Sequence, residues 1–180
     1  MGKSDEDKTE LEKDEIRSGN VSIILDSYND IFSDFDPRSY EERALSDDFL
    51  SECKKAALVK KEGFELRIMV PKNKRSLNDE ARIRKRFRVY FMKHYNEKKN
   101  EIKKIKTEGL IWFLMGTLIM MLETLLFKFE QKLFFVMAQP AGWFFFWEGL
   151  DKVFITSKEK RPDFEFYRRI SHARISFLSY

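Results

Sequence analysis

The sequence predicts a membrane protein in which a two-helix transmembrane hairpin is inserted in a small cytoplasmic α+β domain. Two apolar runs, 109–127 and 133–150, predict the hairpin, because each approaches the roughly 20 residues that cross a bilayer core. Short segments with strand-like or helical patterning on both sides of these runs predict the α+β domain. The predicted organisation begins with a flexible polar tail (1–20) and the first part of the cytoplasmic domain (21–106). The hairpin (107–154) and the second part of the domain (155–180) follow.

The chain of 180 residues combines strongly polar segments with strongly apolar ones. Charged residues make up 36% and aromatic residues 15%, with 18 phenylalanines. Hydrophobic residues make up 43%, so full disorder is excluded. A single cysteine excludes a disulfide scaffold. Charge is segregated: residues 21–52 carry a net charge of −7 and residues 75–106 a net charge of +8. Such asymmetry predicts either pairing within the fold or a basic surface directed at phosphates.

The first part of the domain contains two predicted strands around a helix. The segment 21–25, VSIIL, is short, apolar and rich in β-branched residues. Ser46 is a good N-cap for a helix over about 46–61. The segment 64–70, FELRIMV, alternates in the manner of a half-buried strand.

A long basic helix follows and leads into the first apolar run. Ser76 and Asp79 have the spacing of a capping box, which predicts a helix start near residue 77. One face of this helix carries residues at helical spacing that are expected in the core, namely Ile83, Phe87, Tyr90, Phe91 and His94. The helix is expected to continue into the first span near Gly109. Beyond the second run, a short helix at 164–171 and a third strand at 173–180 are predicted.

The two apolar runs are predicted to be antiparallel neighbours, because the connector 128–132 has only five residues. The first run has one charge, Glu123, and no polar face at helical spacing. The second contains Pro140, which membrane helices tolerate. Gly116 and Gly142 should meet at similar depth and allow the helices to approach closely.

The flanking charges predict the orientation of the hairpin. Basic residues are abundant before the first run and after the second, whereas the connector has only Lys128 and Lys132. The positive-inside rule then places both termini in the cytoplasm. The lysines that precede the first run are expected to contact anionic lipid headgroups, and they are Lys98, Lys99, Lys103, Lys104 and Lys106.

An acidic loop over 26–38 is a candidate binding site. Its members are Asp26, Asp30, Asp34, Asp36 and Arg38. Clustered carboxylates suit Mg²⁺ or Ca²⁺, but aspartates in loops more commonly cap turns. The spacing of Asp34 and Asp36 resembles the start of an EF-hand loop, but the later Asp or Asn and the Gly are missing. Neither histidine has a second ligand at helical spacing, so no metal site and no cofactor are assigned.

Glu123 and Gln139 are the polar candidates inside the predicted membrane segment. An ionisable group there is costly and is a functional candidate by default. Gln139 is expected at a similar depth and could hydrogen-bond to Glu123, and Lys128 is an alternative partner for the carboxylate. Two alternatives are compatible with this placement: a structural role for Glu123, or a role in ion or proton conduction.

No catalytic motif is visible, so the sequence predicts a non-enzymatic, membrane-anchored interaction or scaffold module that binds a partner protein or another copy of itself. One alternative is an oligomeric channel or transporter subunit that uses Glu123 and Gln139. The other is a membrane-tethered, metal-dependent enzyme that uses the loop Asp26–Asp36. Nucleic acid is a disfavoured partner, because the aromatic residues of the basic helix lie on its apolar stripe and are not free to stack on bases.

Overall fold

The structure is a computed structural model of the full chain that describes residues 21–59, 65–126 and 132–180. The predicted tail at 1–20 lies outside the described residues, as does most of the predicted connector. By its internal contacts the chain divides into two compact units, which we call the sheet unit (Met1–Tyr95 with Phe166–Tyr180) and the helical unit (Asn96–Glu165).

A three-stranded sheet lies in the described part of the sheet unit. Its strands are β1 (Val21–Ile24), β2 (Glu65–Val70) and β3 (Arg174–Ser179), in the order β1-β2-β3. Ile68 pairs with Ile23 on one side and with Phe177 on the other. All three strand segments predicted from the sequence are confirmed.

Both strand pairs are parallel, which the sequence analysis did not anticipate. Parallel neighbours need crossover connections, and these contain helix in both cases. The connectivity is therefore that of an α/β sheet and not of the expected α+β domain. Hydrophobic alternation identifies a strand and its buried face, but it carries no information on strand direction.

The described residues are mostly helical. The helices are α1 (Asp47–Val59), α2 (Leu77–Leu126), α3 (Lys132–Asp151), α4 (Ser157–Glu159) and α5 (Arg161–Ser171), with a π-helical segment at Lys152–Thr156 and 3-10 turns at Tyr28–Ile31 and Lys72–Lys74. Helix α1 begins directly after Ser46, as predicted, and has two acidic residues in its first turn, where they favour the helix dipole. The backbone N–H of Asp79 donates to Ser76 Oγ at 3.4 Å, so Ser76 caps α2.

The core of the sheet unit lies on one face of the sheet. From β2, the side chains of Leu66, Ile68 and Val70 are buried, and α2 contributes the predicted stripe. Its members Ile83, Phe87 and Phe91 are buried, whereas Tyr90 and His94 are half-buried against the core. Phe49 of α1 stacks on Phe87 with ring centroids 5.4 Å apart, and Phe166 and Ile170 of α5 complete the cluster.

Helix α2 is a single helix of 50 residues that joins the amphipathic stripe to the first apolar run, as predicted. Within Leu77–Leu125 it contains an 18-residue window with a mean hydropathy of 1.5, of which 11% is buried. By length and composition this helix is able to cross a membrane. It is the one helix among the described residues that meets this criterion, so the predicted second span does not have the same support. Helix α3 is 20 residues long but includes Gln139, Pro140 and Glu148.

Candidate membrane-interaction site

Helices α2 and α3 pack against each other through glycines within the helical unit. A Cβ atom on Gly116 would lie 2.7 Å from the carbonyl oxygen of Gly142, and one on Gly109 would lie 2.9 Å from that of Gly149. Residue numbers rise along α2 as they fall along α3, so the helices are antiparallel. The predicted meeting of Gly116 and Gly142 is confirmed. Because backbone lies against backbone, these positions have no room for a side chain.

Aromatic rings also pack across the α2–α3 interface. Trp112 and Phe145 have ring centroids 5.1 Å apart, and Phe113 and Phe146 have centroids 5.0 Å apart. Such pairs contribute beyond the area that they bury. The helix pair is therefore built from close backbone contact flanked by tilted aromatic pairs.

The outer surface of this pair is apolar and exposed. On α2 the exposed large apolar side chains are Leu110, Ile111, Leu114, Met115, Leu118, Met121, Leu122 and Leu125. On α3 they include Val136, Trp143, Phe144 and Trp147. Water-soluble proteins rarely expose a contiguous apolar surface of this extent. Such a surface therefore marks a site of membrane or protein interaction.

Polar groups within the apolar part of α2 are accommodated in different ways. The hydroxyls of Thr117 and Thr124 donate to the carbonyl oxygens of Phe113 and Met120, at 2.8 and 3.0 Å, which satisfies them inside the helix. Glu123 is half-buried. Gln139 of α3 is exposed, and the structure shows no hydrogen bond between these two side chains.

The lysines that precede the apolar part of α2 fall into two groups. Lys98 Nζ donates to Glu101 Oε2 at 2.9 Å, and Lys104 Nζ lies 3.8 Å from Glu108 Oε1. The hydrogen bond to Glu101 raises the pKa of Lys98, and the same bond lowers the pKa of Glu101. These lysines are therefore engaged within their own helix.

Three other lysines, Lys99, Lys103 and Lys106, line an open groove. The groove has a volume of about 910 Å³ and lies wholly within the helical unit. We call it the basic groove; its lining is Lys99, Asn100, Ile102, Lys103, Lys106, Thr107, Leu110, Arg161, Phe164 and Glu165. Among the described residues, no carboxylate forms an ion pair with Lys103 or Lys106. The groove thus presents cationic side chains beside the start of the apolar surface.

The chain remains helical beyond α3, which the sequence analysis missed. Residues Lys152–Thr156 form a π-helical segment, and Ser157 is buried with its Oγ donating to the carbonyl oxygen of Val153 at 2.6 Å. The stretch 151–160 has no glycine and no proline, and this was the available signal for a continuous helix. The continuation leads to Arg161 at the start of α5, on the wall of the basic groove.

Two aspartates of the acidic loop act on the loop itself. Asp30 Oδ2 accepts hydrogen bonds from the backbone N–H groups of Asp26 and Ser27, both at 2.9 Å, in a capping box for the 3-10 turn. Asp36 accepts from the Arg38 guanidinium at 2.7 Å and from the backbone N–H of Ala44 at 2.7 Å. The Arg38 contact and the Ala44 hydrogen bond hold the pKa of Asp36 well below its usual range.

The other two aspartates do not join them in a common site. Asp34 has a side chain that is 91% exposed and lies 3.8 Å from Arg43. Asp26 is exposed. In the described part of the chain, no group of three or more histidine, cysteine, aspartate or glutamate side chains is arranged to hold a metal ion. The geometry is that of a loop shaped by its carboxylates.

A buried carboxylate, Glu80, was missed by the sequence analysis. Its side chain is 1% exposed and accepts two hydrogen bonds from the Arg75 guanidinium, at 2.8 and 3.1 Å. Tyr28 donates its hydroxyl proton to Glu80 Oε1 at 3.0 Å and accepts from the backbone N–H of Ser76. Arg84 lies 3.6 Å from the same carboxylate. Its burial could have been predicted from helical spacing, because Glu80 lies on the same stripe of α2 as the apolar residues that follow it.

The Glu80 network joins three elements at the carboxyl end of the sheet. Tyr28 follows β1, Arg75 lies between β2 and α2, and Glu80 belongs to the first turns of α2. Burial raises the pKa of the Tyr28 hydroxyl, and the hydrogen bonds to Glu80 raise the pKa of Arg75. The charged groups are mutually satisfied, so the network anchors the start of α2 to the sheet.

The single cysteine, Cys53, lies on α1 inside the core of the sheet unit and is fully buried. Burial raises the pKa of its thiol well above the usual range. The thiolate is the nucleophilic form, so the thiol is inert while the unit is folded.

Comparisons with known proteins add no relative: no family model matches the chain, and searches of curated proteins and of solved structures find no significant match.

Proposed function

We propose that this chain is a small integral membrane protein that acts as a non-enzymatic interaction or scaffold module. Residues 109–127 and 133–150 form a two-helix transmembrane hairpin in this proposal. The sheet unit and both termini face the cytoplasm. The unit carries a surface for a partner protein or for a second copy of the chain.

The observation that carries the proposal is the construction of the α2–α3 pair. Its inner surface is closed by glycine contacts and aromatic rings, while its outer surface is apolar and exposed. Lipid chains are a suitable environment for that outer surface, because a helix pairs most of its backbone groups internally and membrane helices tolerate a proline such as Pro140. Small residues at a helix interface are also the usual means of close packing in membranes.

The distribution of lysines supports the orientation. Basic side chains are concentrated before Gly109 and after Leu150, and few lie between the runs. The positive-inside rule then assigns the side with more lysine and arginine to the cytoplasm.

The engagement of the polar clusters supports a non-enzymatic role. Asp30 and Asp36 hold the loop, and Glu80 holds the start of α2, so these three carboxylates have structural partners. Catalytic carboxylates are more commonly arranged around a shared cleft.

Membrane integration is tested by carbonate extraction and topology by cysteine labelling. With Cys53→Ala as background, Gln131→Cys reports on the connector and Ser179→Cys on the C-terminus. We expect the protein to stay in the carbonate pellet. A membrane-impermeant maleimide should label Gln131→Cys in intact cells and Ser179→Cys only after permeabilisation. Release by carbonate, or labelling of both variants in intact cells, would contradict the proposal.

The interaction role is tested by purification from native membranes in a mild detergent, with the mass of the complex recorded. A stoichiometric second protein, or a dimer of the chain, is the expected result. A homogeneous ring of many copies that conducts ions in a planar bilayer would favour a channel subunit instead. In that case Glu123→Gln and Gln139→Leu would be the first variants to measure.

A further inference from the structure

We propose that the basic groove binds the headgroup of a phospholipid that carries several phosphate groups. The proposal builds on the membrane location proposed above, and it names one lipid class and one site on the helical unit. The five lysines before the first apolar run were all expected to contact anionic lipid headgroups, whereas the structure separates those that line the groove from those that do not.

Two parts of the chain that are distant in sequence supply the cations of the groove. Lys99, Lys103 and Lys106 lie on one face of α2, and Arg161 lies at the start of α5. One glutamate, Glu165, also lines the groove, so the positive charges outnumber the negative charge. A concave arrangement of cations on two walls suits a compact anion better than a flat basic surface does.

The spacing of the lysines favours more than one phosphate. From Lys99 to Lys106 the helix rises by about 10 Å, since each residue adds about 1.5 Å. A single phosphodiester reaches one or two of these side chains. A headgroup with phosphates on several positions of a ring reaches all of them, with each cation contributing to the attraction.

The apolar end of the groove favours a lipid over a free anion. Leu110 lies four residues after Lys106 on α2 and is exposed, and Phe164 lines the opposite wall. The groove is therefore continuous with the exposed apolar surface of α2 that begins at Leu110. In the proposed orientation of the lipid, its phosphates contact the lysines and its glycerol end lies at Leu110.

Position relative to the groove distinguishes two other lysines of the same helix segment. Lys98 and Lys104 are held by Glu101 and Glu108 and do not line the groove. They provide a control, because they share the helix and the charge but not the site.

The test measures binding of fluorescent dioctanoyl phosphatidylinositol bisphosphate to the full chain in dodecylmaltoside micelles by anisotropy. The groove variant is Lys103→Gln with Lys106→Gln and Arg161→Gln. The matched control is Lys98→Gln with Lys104→Gln and Lys158→Gln, which changes the net charge equally. We expect binding to be about 10-fold weaker or more in the groove variant and within about 3-fold of wild type in the control. Tryptophan fluorescence confirms folding, and the single variant Lys103→Glu is used if the triple variant does not fold.

Competition then separates the sources of phosphate. Unlabelled dioctanoyl phosphatidylinositol bisphosphate should displace the probe, whereas dioctanoyl phosphatidylserine and soluble inositol trisphosphate should do so poorly. Equal weakening by the two triple variants, equal competition by inositol trisphosphate, or no binding by wild type would overturn the proposal. These measurements are made in micelles, so they can fail while carbonate extraction and topology succeed, or succeed while those fail.

Discussion

Gly116 and Gly142 lie opposite each other where α2 and α3 cross, so close that a Cβ atom on Gly116 would be 2.7 Å from the carbonyl oxygen of Gly142. Gly109 and Gly149 repeat this relationship one heptad away along both helices. The four glycines therefore define a seam in which backbone replaces side chains. This seam gives the α2–α3 pair its geometry, and the exposed apolar residues surround it.

Substitution in the seam should weaken the helix pair. Gly116→Ile places a branched side chain against the backbone of Phe146 and should destabilise the pair by about 1–3 kcal/mol. Isoleucine is the better helix former, so a loss of stability would report on packing and not on helix propensity. All three tryptophans of the chain lie on α2 and α3, so thermal unfolding followed by tryptophan fluorescence reports on this pair.

The control for this prediction is Met115→Ile, which alters an exposed neighbour on the same helix. We expect the midpoint of thermal unfolding of Met115→Ile to differ little from that of wild type. Equal behaviour of the two variants would show that the seam does not hold the helices together.

Cys53 should be protected from thiol reagents in the folded protein. Its side chain is fully buried, and burial raises the pKa of its thiol, so modification requires opening of the sheet unit. We expect labelling by 4,4′-dithiodipyridine to be at least about 100-fold slower than in a variant with Cys53→Ala and Ser51→Cys, which moves the thiol to an exposed position of α1. Comparable rates in the two proteins would mean that α1 opens readily.

Removal of the Glu80 charge should destabilise the sheet unit. Glu80→Gln leaves Arg75 without its paired carboxylate and weakens the bond from Tyr28, at a cost of about 2–3 kcal/mol. Urea dependence of Cys53 labelling measures the change. Glu41→Gln is the control, since Glu41 and Arg82 form an exposed contact at 4.0 Å that should contribute at most about 1 kcal/mol. Similar losses in both variants would count against the anchoring role of Glu80.

Asp36 should make the sheet unit sensitive to acid. The Arg38 guanidinium and the Ala44 N–H lower the pKa of Asp36 in the folded state, so the unfolded chain takes up the proton first as the pH falls. The stabilisation is complete above the unfolded pKa of about 3.9 and is lost as the pH falls through the lower folded value. Asp36→Asn should therefore be less stable than wild type at neutral pH and lose less stability on acidification.

The readout for Asp36 is labelling of Cys53 by 4,4′-dithiodipyridine, which reacts in acid. Asp34→Asn is the matched control, because Asp34 lies in the same loop with its side chain largely exposed. Its acid profile should follow that of wild type. An unchanged profile in Asp36→Asn would contradict the role assigned to the Arg38 and Ala44 contacts.

The sequence predicted the three strands, the capped start of α2 and the buried stripe of that helix, because each is marked by a pattern of residue types within a short segment. It did not predict that the sheet is entirely parallel. It also missed Glu80, because a carboxylate in an apolar stripe is explained only by partners such as Tyr28, which is distant along the chain. The continued helix through Lys152–Thr156 was missed because only the absence of breakers marks it.

The candidate membrane-interaction site also divides into features that the sequence predicts and features that tertiary structure decides. The apolar run of α2, the basic residues before it and the meeting of Gly116 with Gly142 follow from the order of the amino acids, since length, hydropathy and spacing are local properties. The second contact of the seam, between Gly109 and Gly149, was not predicted. Which lysines are held by Glu101 or Glu108, and which face Arg161 across a groove, was decided by tertiary structure. The physical reason is that a helix face is fixed by spacing, whereas the partner of a charge depends on which other segment packs beside it.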